Sequence, residues 1–192
     1  METTAHTTAS DWVRRWSHLV PTGGTVLDVA CGRGRHLRWF SERNHAVVGV
    51  DLSQDALDFV ADLMRAGRAE LVCADLENGP WPFTDQRRFD AVVVTNYLWR
   101  PLLPVLIDSV APSGVLLYET FAAGNETVGR PSRADFLLAP GELLAACAAL
   151  RVVAYEDGFL ETPARFVQRI AAVRAQPGGA LARYPLGGGR GS

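Results

Sequence analysis

The residues with the most chemistry to offer stand where short apolar runs end. Val26-Leu27-Asp28-Val29-Ala30-Cys31-Gly32-Arg33-Gly34-Arg35-His36 holds an acid, a loop of small residues and the start of a helical stretch. Gly32 and Gly34 let the backbone come close to a ligand, and the free N–H groups of the following helix favour an anionic group such as a carboxylate. This much suits several nucleotides. A dinucleotide fingerprint needs a third glycine, but its place, counted from Gly32, is taken by Leu37. Asp28 beside the loop also disfavours a phosphate. A second run, Val47-Val48-Gly49-Val50-Asp51-Leu52-Ser53, again ends in an acid. A carboxylate in that place can accept hydrogen bonds from both hydroxyls of a ribose, which makes Asp51 the expected ribose ligand. Val72-Cys73-Ala74-Asp75-Leu76 repeats the pattern, and a fourth run is followed by Thr95-Asn96-Tyr97-Leu98-Trp99-Arg100-Pro101.

Elements that would hold these ends side by side are legible in the apolar pattern. Residues 26–30, 46–50, 70–74 and 89–95 are short runs rich in valine or leucine, separated by segments of helical length, which reads as βαβ units. Runs that are apolar throughout suit parallel strands buried on both faces. Helices are expected over 35–42, over 54–64 after Ser53 as cap, over 102–110 after Pro101 and over 141–149. A fifth strand is expected over 114–120, and strands over 151–156 and 166–173 form an antiparallel pair. The fold class is therefore α/β, a single doubly wound Rossmann-like domain whose seven-stranded sheet is mostly parallel with an antiparallel C-terminal hairpin. The domain is expected to span residues 1–176. Residues 177–192 are glycine-rich and read as a flexible tail.

Composition narrows the function. The chain has 192 residues, enough for one such domain, with 48% hydrophobic and 21% charged residues, in the ordinary globular range. A formal charge of −2 with scattered arginines lacks the basic footprint of nucleic-acid binders. Cys31, Cys73 and Cys147 have no metal-ligand spacing, so no metal is expected and a reducing cytoplasm is the simplest setting. Residues 1–10 lack the apolar core of a signal peptide, and no apolar stretch approaches the ~20 residues of a membrane span.

The loop resembles the first motif of the class I S-adenosylmethionine-dependent methyltransferases, an acid followed by alternating small residues that end in GxG. Asp28, Ala30, Gly32 and Gly34 occupy those places, with alanine where the family's first glycine stands. The resemblance implies S-adenosylmethionine as cofactor. It implies that Asp28 orients the methionine part, that the backbone of Cys31 to Gly34 lines it, and that Asp51 with Leu52 takes the ribose. Asp75 would meet the adenine amino group while the Leu76 amide donates to a ring nitrogen. Asn96 and Tyr97 fall where the sulfonium and the methyl acceptor meet. The paired prolines of nucleic-acid N-methyltransferases are absent from this stretch.

Over 11–174 the chain looks similar to small bacterial methyltransferases grouped with tellurite-resistance proteins, through 96–103, Tyr118-Glu119-Thr120-Phe121, Gly124-Asn125-Glu126 and Phe136-Leu137-Leu138. That grouping does not specify an acceptor. Glu119, Tyr97 and His36 are the candidates for a proton acceptor, with Glu119 and Tyr97 named as catalytic residues. Tyr97 and Arg100 are expected at the acceptor, a small molecule or small anion. Arg130 and Arg133 offer further guanidinium groups, and 122–140 forms a lid. Two other readings remain: a nucleotide-dependent oxidoreductase, or a noncatalytic S-adenosylmethionine-binding partner protein. Trp12 and Trp16 share one face of a short helix, where packing is the preferred role.

Overall fold

The computed structural model describes residues 8–176, 178 and 182–186. Seven strands form one sheet: β1 (Thr25–Val29), β2 (Ala46–Asp51), β3 (Ala69–Cys73), β4 (Phe89–Thr95), β5 (Val110–Phe121), β6 (Arg151–Glu161) and β7 (Ala164–Val173). Their order across the sheet is β3-β2-β1-β4-β5-β7-β6. The first five run parallel, and β7 lies antiparallel to both β5 and β6. This is the doubly wound sheet with a C-terminal hairpin that the apolar runs predict.

Valine and leucine on both faces of β1 and β4 feed two separate cores. One contains Leu27, Val29, Val92, Val94, Leu116 and Tyr118; the other contains Val26, Leu37, Phe40, Ala91, Val93 and Leu117. Helix α1 (Asp11–Trp16) closes the second core with Trp12 and Trp16, both about fully buried. Packing is their role here, and the Trp12 indole also donates to the Ile170 carbonyl at 3.1 Å. Parallel register aligns the strand ends: Asp28 is level with Gly49 and Val93, Asp51 with Cys73, and Thr95 with Glu119. The chemistry-bearing residues therefore share one edge of the sheet, where open α/β folds place their ligands.

Three helices differ from expectation. The stretch expected as one helix over 54–64 is two, α3 (Gln54–Asp58) and α4 (Ala61–Arg65), broken at Phe59 and Val60. Leu57, Val60 and Leu63 are all buried. A buried row of every third residue calls for a tighter turn than the α-helix provides, and the break supplies it. Helix α2 (Arg35–Ser41) follows the glycine loop as expected. Helix α5 (Leu103–Asp108) stops earlier than expected because Val110 joins β5, opposite Phe89. Helix α6 (Glu142–Ala146) is shorter too, with its start set by Gly141 in the left-handed region at φ 71°.

Of the expected tail, residues 178 and 182–186 are described, and the rest lies outside the described residues. The described part touches the domain. The Arg151 guanidinium lies 5.5 Å over the Tyr184 ring, and the Pro185 carbonyl is 3.1 Å from His18 Nε2. No helix among the described residues is long and apolar enough to cross a membrane.

Candidate active site

The loop after β1 is built from three left-handed residues in alternation, Ala30 (φ 51°), Gly32 (φ 53°) and Gly34 (φ 69°). Alanine at position 30 thus adopts the positive φ normally left to glycine, at a strain cost of about 1 kcal/mol. The Cys31 amide donates to the Val50 carbonyl at 3.1 Å, which ties the loop to β2. Asp51 completes the tie: one carboxylate oxygen accepts from the Gly32 amide at 2.7 Å and the other from the Ser53 amide at 2.9 Å. Each oxygen keeps a lone pair for an outside donor. Leu52 beside it is an apolar side chain left 67% exposed.

A cleft of about 550 Å³ opens above this loop, lined by Ala30, Cys31, Gly32, Arg35, Thr95 and Asn96. Asp28 lies beneath it, 1% exposed, and its Oδ2 has no hydrogen-bond partner among the described residues. Burial, then the charges of Asp28 and Asp51, push the Cys31 thiol well above its ordinary range, so it is a neutral wall and not a nucleophile. Asp75 does not reach the cleft lining. Its two oxygens accept from the Glu77 and Asn78 amides and from the Asn78 side chain, and these bonds, the side-chain one foremost, hold its carboxyl below the usual range. Leu76 is half-buried against the first core, next to this turn.

Asn96 is where the geometry converges. Its φ of 57° is unusual for a residue other than glycine, and its amide donates to the Glu119 carbonyl at 2.9 Å. It lines the cleft and two further hollows, each of about 290 Å³. One of these is mostly apolar, walled by Tyr97, Leu98, Phe121, Pro131 and Phe136, with Glu77 and Thr120 as its polar members. The Tyr97 hydroxyl is buried without a partner among the described residues, and burial, with Glu77 and Asp75 nearby, pushes its pKa up to about 12. At neutral pH it is a phenol with a proton to donate and little capacity as a base. The other hollow is basic, formed by Arg35 and Arg165 with residues 8–11 and Pro163.

Two expected site residues are engaged elsewhere. Arg100 binds both oxygens of Glu142, at 2.7 and 2.9 Å, and the carbonyls of Asp135 and Leu137, both at 2.8 Å. Those bonds occupy most of its donors, so Arg100 clamps the loop before α6 and does not line either hollow at Asn96. Glu119 is 1% exposed and faces Arg165 at 3.4 Å, Arg169 at 3.3 Å and the Ser10 hydroxyl at 3.1 Å. Glu119 is thus tied into an ion-pair network and lines neither hollow at Asn96. Arg130 and Arg133 are likewise outside both hollows.

Three guanidinium groups do reach the site: Arg33 and Arg35 line the cleft, and Arg35 and Arg165 line the basic hollow. Arg35 donates to the Thr95 hydroxyl at 3.3 Å, and burial pulls its pKa down from the ordinary value. Arg165 reaches Asn96 Oδ1 at 3.3 Å, while its buried Nε has no partner among the described residues. Arg35 sits inside the motif and was readable as part of it. Arg165 lies 69 residues from Asn96, and nothing local to β7 marks it.

Residues 26–112 match the methyltransferase domain family. Among sequence relatives, a tRNA U34 carboxymethyltransferase of Klebsiella pneumoniae is 30% identical over 177 residues, covering 79% of this chain and 49% of the relative. A putative methyltransferase, YqeM, of Bacillus subtilis is 27% identical over 135 residues, covering 64% and 52%. The chain thus spans about half the length of these relatives. Among solved structures, TehB of Haemophilus influenzae superposes with a TM-score of 0.68 at 20% identity, over 90% of this chain and 63% of that one. A TehB-like S-adenosylmethionine-dependent methyltransferase of Corynebacterium glutamicum gives 0.61 at 19% identity, over 86% and 87%. Residues 26–112 thus match a methyltransferase domain, and the described residues share the fold of these S-adenosylmethionine-dependent methyltransferases, the TehB-like ones among them.

Proposed function

We propose that the chain transfers a methyl group from S-adenosylmethionine to a small acceptor bearing an anionic group. The observation that carries this reading is the meeting of three hollows at Asn96: the glycine-loop cleft, an apolar pocket and a basic one. The residues present fit the cofactor. The buried, unpartnered Asp28 oxygen suits the neighbourhood of an ammonium, Arg35 suits a carboxylate, and Asp51 retains acceptors for a ribose. When bound, S-adenosylmethionine supplies an activated methyl group on a sulfonium.

The chain's own contribution is then positioning. Methyl transfer is an in-line displacement, and holding an acceptor at near-attack geometry in a site that excludes water supplies much of the rate. Asn96, at the junction, is the residue around which acceptor and cofactor approach. Tyr97 and the phenylalanines at 121 and 136 offer an apolar bed, and Arg165 grips an oxyanion. Tyr97 keeps its proton at neutral pH and is not suited to take one from the acceptor. The relative named as a tRNA carboxymethyltransferase makes a polynucleotide the competing acceptor. The formal charge of −2 and the small size of both hollows favour a small molecule instead. A cytoplasmic location belongs to the same reading.

Two measurements test it. Calorimetry should give binding of S-adenosylmethionine and S-adenosylhomocysteine but not NAD, and Asp51→Ala should weaken that binding about 10- to 100-fold, the loss of charge-assisted hydrogen bonds. Preferential NAD binding would make the chain an oxidoreductase instead.

Label transfer from a methyl-labelled donor should appear in a small-molecule extract that has been nuclease-treated. Arg165→Met should reduce that transfer at least ~10-fold while S-adenosylhomocysteine affinity holds, because one forked contact to an oxyanion is lost. Transfer that vanishes on nuclease treatment would assign the acceptor to nucleic acid.

A further inference from the structure

His36 is the second residue of α2 and 2% exposed, yet it is polar at both ends of its ring. Its Nε2 accepts the Ser10 amide N–H at 3.3 Å. An amide N–H can only donate, so the ring proton of neutral His36 must sit on Nδ1. Nδ1 lies 3.5 Å from Asp28 Oδ2, within reach of an electrostatic contact but too far for a good hydrogen bond. That oxygen is the one without a hydrogen-bond partner among the described residues.

On its other side the ring holds a small network. Ser10 caps α1 by accepting from the Val13 amide, and its hydroxyl donates to Glu119. Residues 8–11 form one wall of the basic hollow, opposite Arg35 and Arg165. One imidazole therefore spans the distance between the carboxylate under the cofactor cleft and the segment that walls the neighbouring hollow. Phenylalanine or leucine would fill that volume at less desolvation cost, so two-ended polarity in so buried a place needs a reason.

We propose that His36 is a positioning residue that couples the two sides of the site: it orients Asp28 for the donor and seats residues 8–11 as the wall of the acceptor hollow. This rests on the reading of the cleft as a donor site. Coupling of this kind is reciprocal, so ligand in the cleft tightens the 8–11 segment, and a seated segment raises affinity in the cleft.

The two nitrogens can be separated by substitution. His36→Asn keeps a side-chain N–H near the Nδ1 place and loses the Nε2 acceptor; His36→Gln puts an amide oxygen near the Nε2 place and loses the Nδ1 donor. S-adenosylhomocysteine affinity by calorimetry and hydrogen exchange at the amides of residues 9–13 would be measured on the full chain of each variant. In the wild type, S-adenosylhomocysteine should slow exchange of the Ser10 amide at least ~5-fold. His36→Asn should exchange as fast with ligand as without and, by the same reciprocity, lose about 5-fold in affinity, whereas His36→Gln should lose about 10-fold in affinity and keep its protection without ligand. His36→Ala should lose both. Wild-type protein that binds S-adenosylhomocysteine without any change at Ser10, or a His36→Asn variant that binds it as tightly as the wild type, would overturn the coupling. Wild-type protein that does not bind S-adenosylhomocysteine would instead overturn the donor-site reading on which the coupling rests.

Discussion

Glu119→Ala is expected to cost about 3 kcal/mol or more of folding stability, the largest loss from any single charged side chain in the site. Glu119 is 1% exposed and faces two guanidinium groups that are themselves mostly buried. Its removal leaves Arg165 with only the 3.3 Å contact to Asn96 among its described side-chain bonds, and Arg165 already has a buried Nε without a partner among the described residues. Arg169 suffers less, because it also binds Glu156. Ser10 loses the acceptor for its hydroxyl, and residues 8–11 lose an anchor. Urea denaturation reads the effect directly. The exposed pair Arg133–Asp135 provides the contrast, since Asp135→Ala should shift stability by less than about 1 kcal/mol. A Glu119→Ala variant as stable as the wild type but devoid of methyl transfer would return Glu119 to the role of proton acceptor.

The glycine loop supplies the second large effect, and its two glycines should fail in different ways. A Cβ on Gly34 would sit 2.5 Å from Val60 Cγ1 and 3.2 Å from Leu37 Cδ1, at φ 69°. Val60 and Leu37 are fully buried and cannot step aside. Gly34→Ala thus combines left-handed strain with overpacking, for a loss of roughly 2 to 5 kcal/mol. Gly32→Ala meets nothing within 4 Å, and only its φ of 53° is unfavourable, at about 1 to 2 kcal/mol. Gly32 lines the cleft, however, and the added methyl would stand in space the cofactor needs. Gly32→Ala should therefore remain folded and lose at least ~10-fold in S-adenosylhomocysteine affinity, about 1.4 kcal/mol. Adding Val60→Ala should restore part of the stability lost in Gly34→Ala and do nothing for Gly32→Ala, because only the first pair touches. Equal stability losses in the two glycine variants would contradict this division.

Much of the fold was readable because its signals are local. Parallel strands buried on both faces must be apolar throughout, and a loop that turns sharply beneath a ligand must be small, so β1, β2, β4 and the loop at 30–34 announced themselves in the sequence. The register of a parallel sheet then forced Asp28, Asp51 and Asn96 to one edge. What tertiary structure alone decided are the partnerships. Arg100 and Arg165 are the same residue type, and neither neighbourhood in sequence says which one meets Glu142 and which one meets Glu119 and Asn96. The antiparallel return of β7 beside β5 sets that choice, by bringing Arg165 and Arg169 up to Glu119 across about fifty residues of chain. Ala30 shows the same limit on a smaller scale. Its identity argued against a left-handed conformation, yet hydrogen bonds from the loop to Val50 and Asp51 over-determine the backbone and hold it there. Residue type fixes what a side chain is able to do, and only the packed sheet decides which partner it does it with.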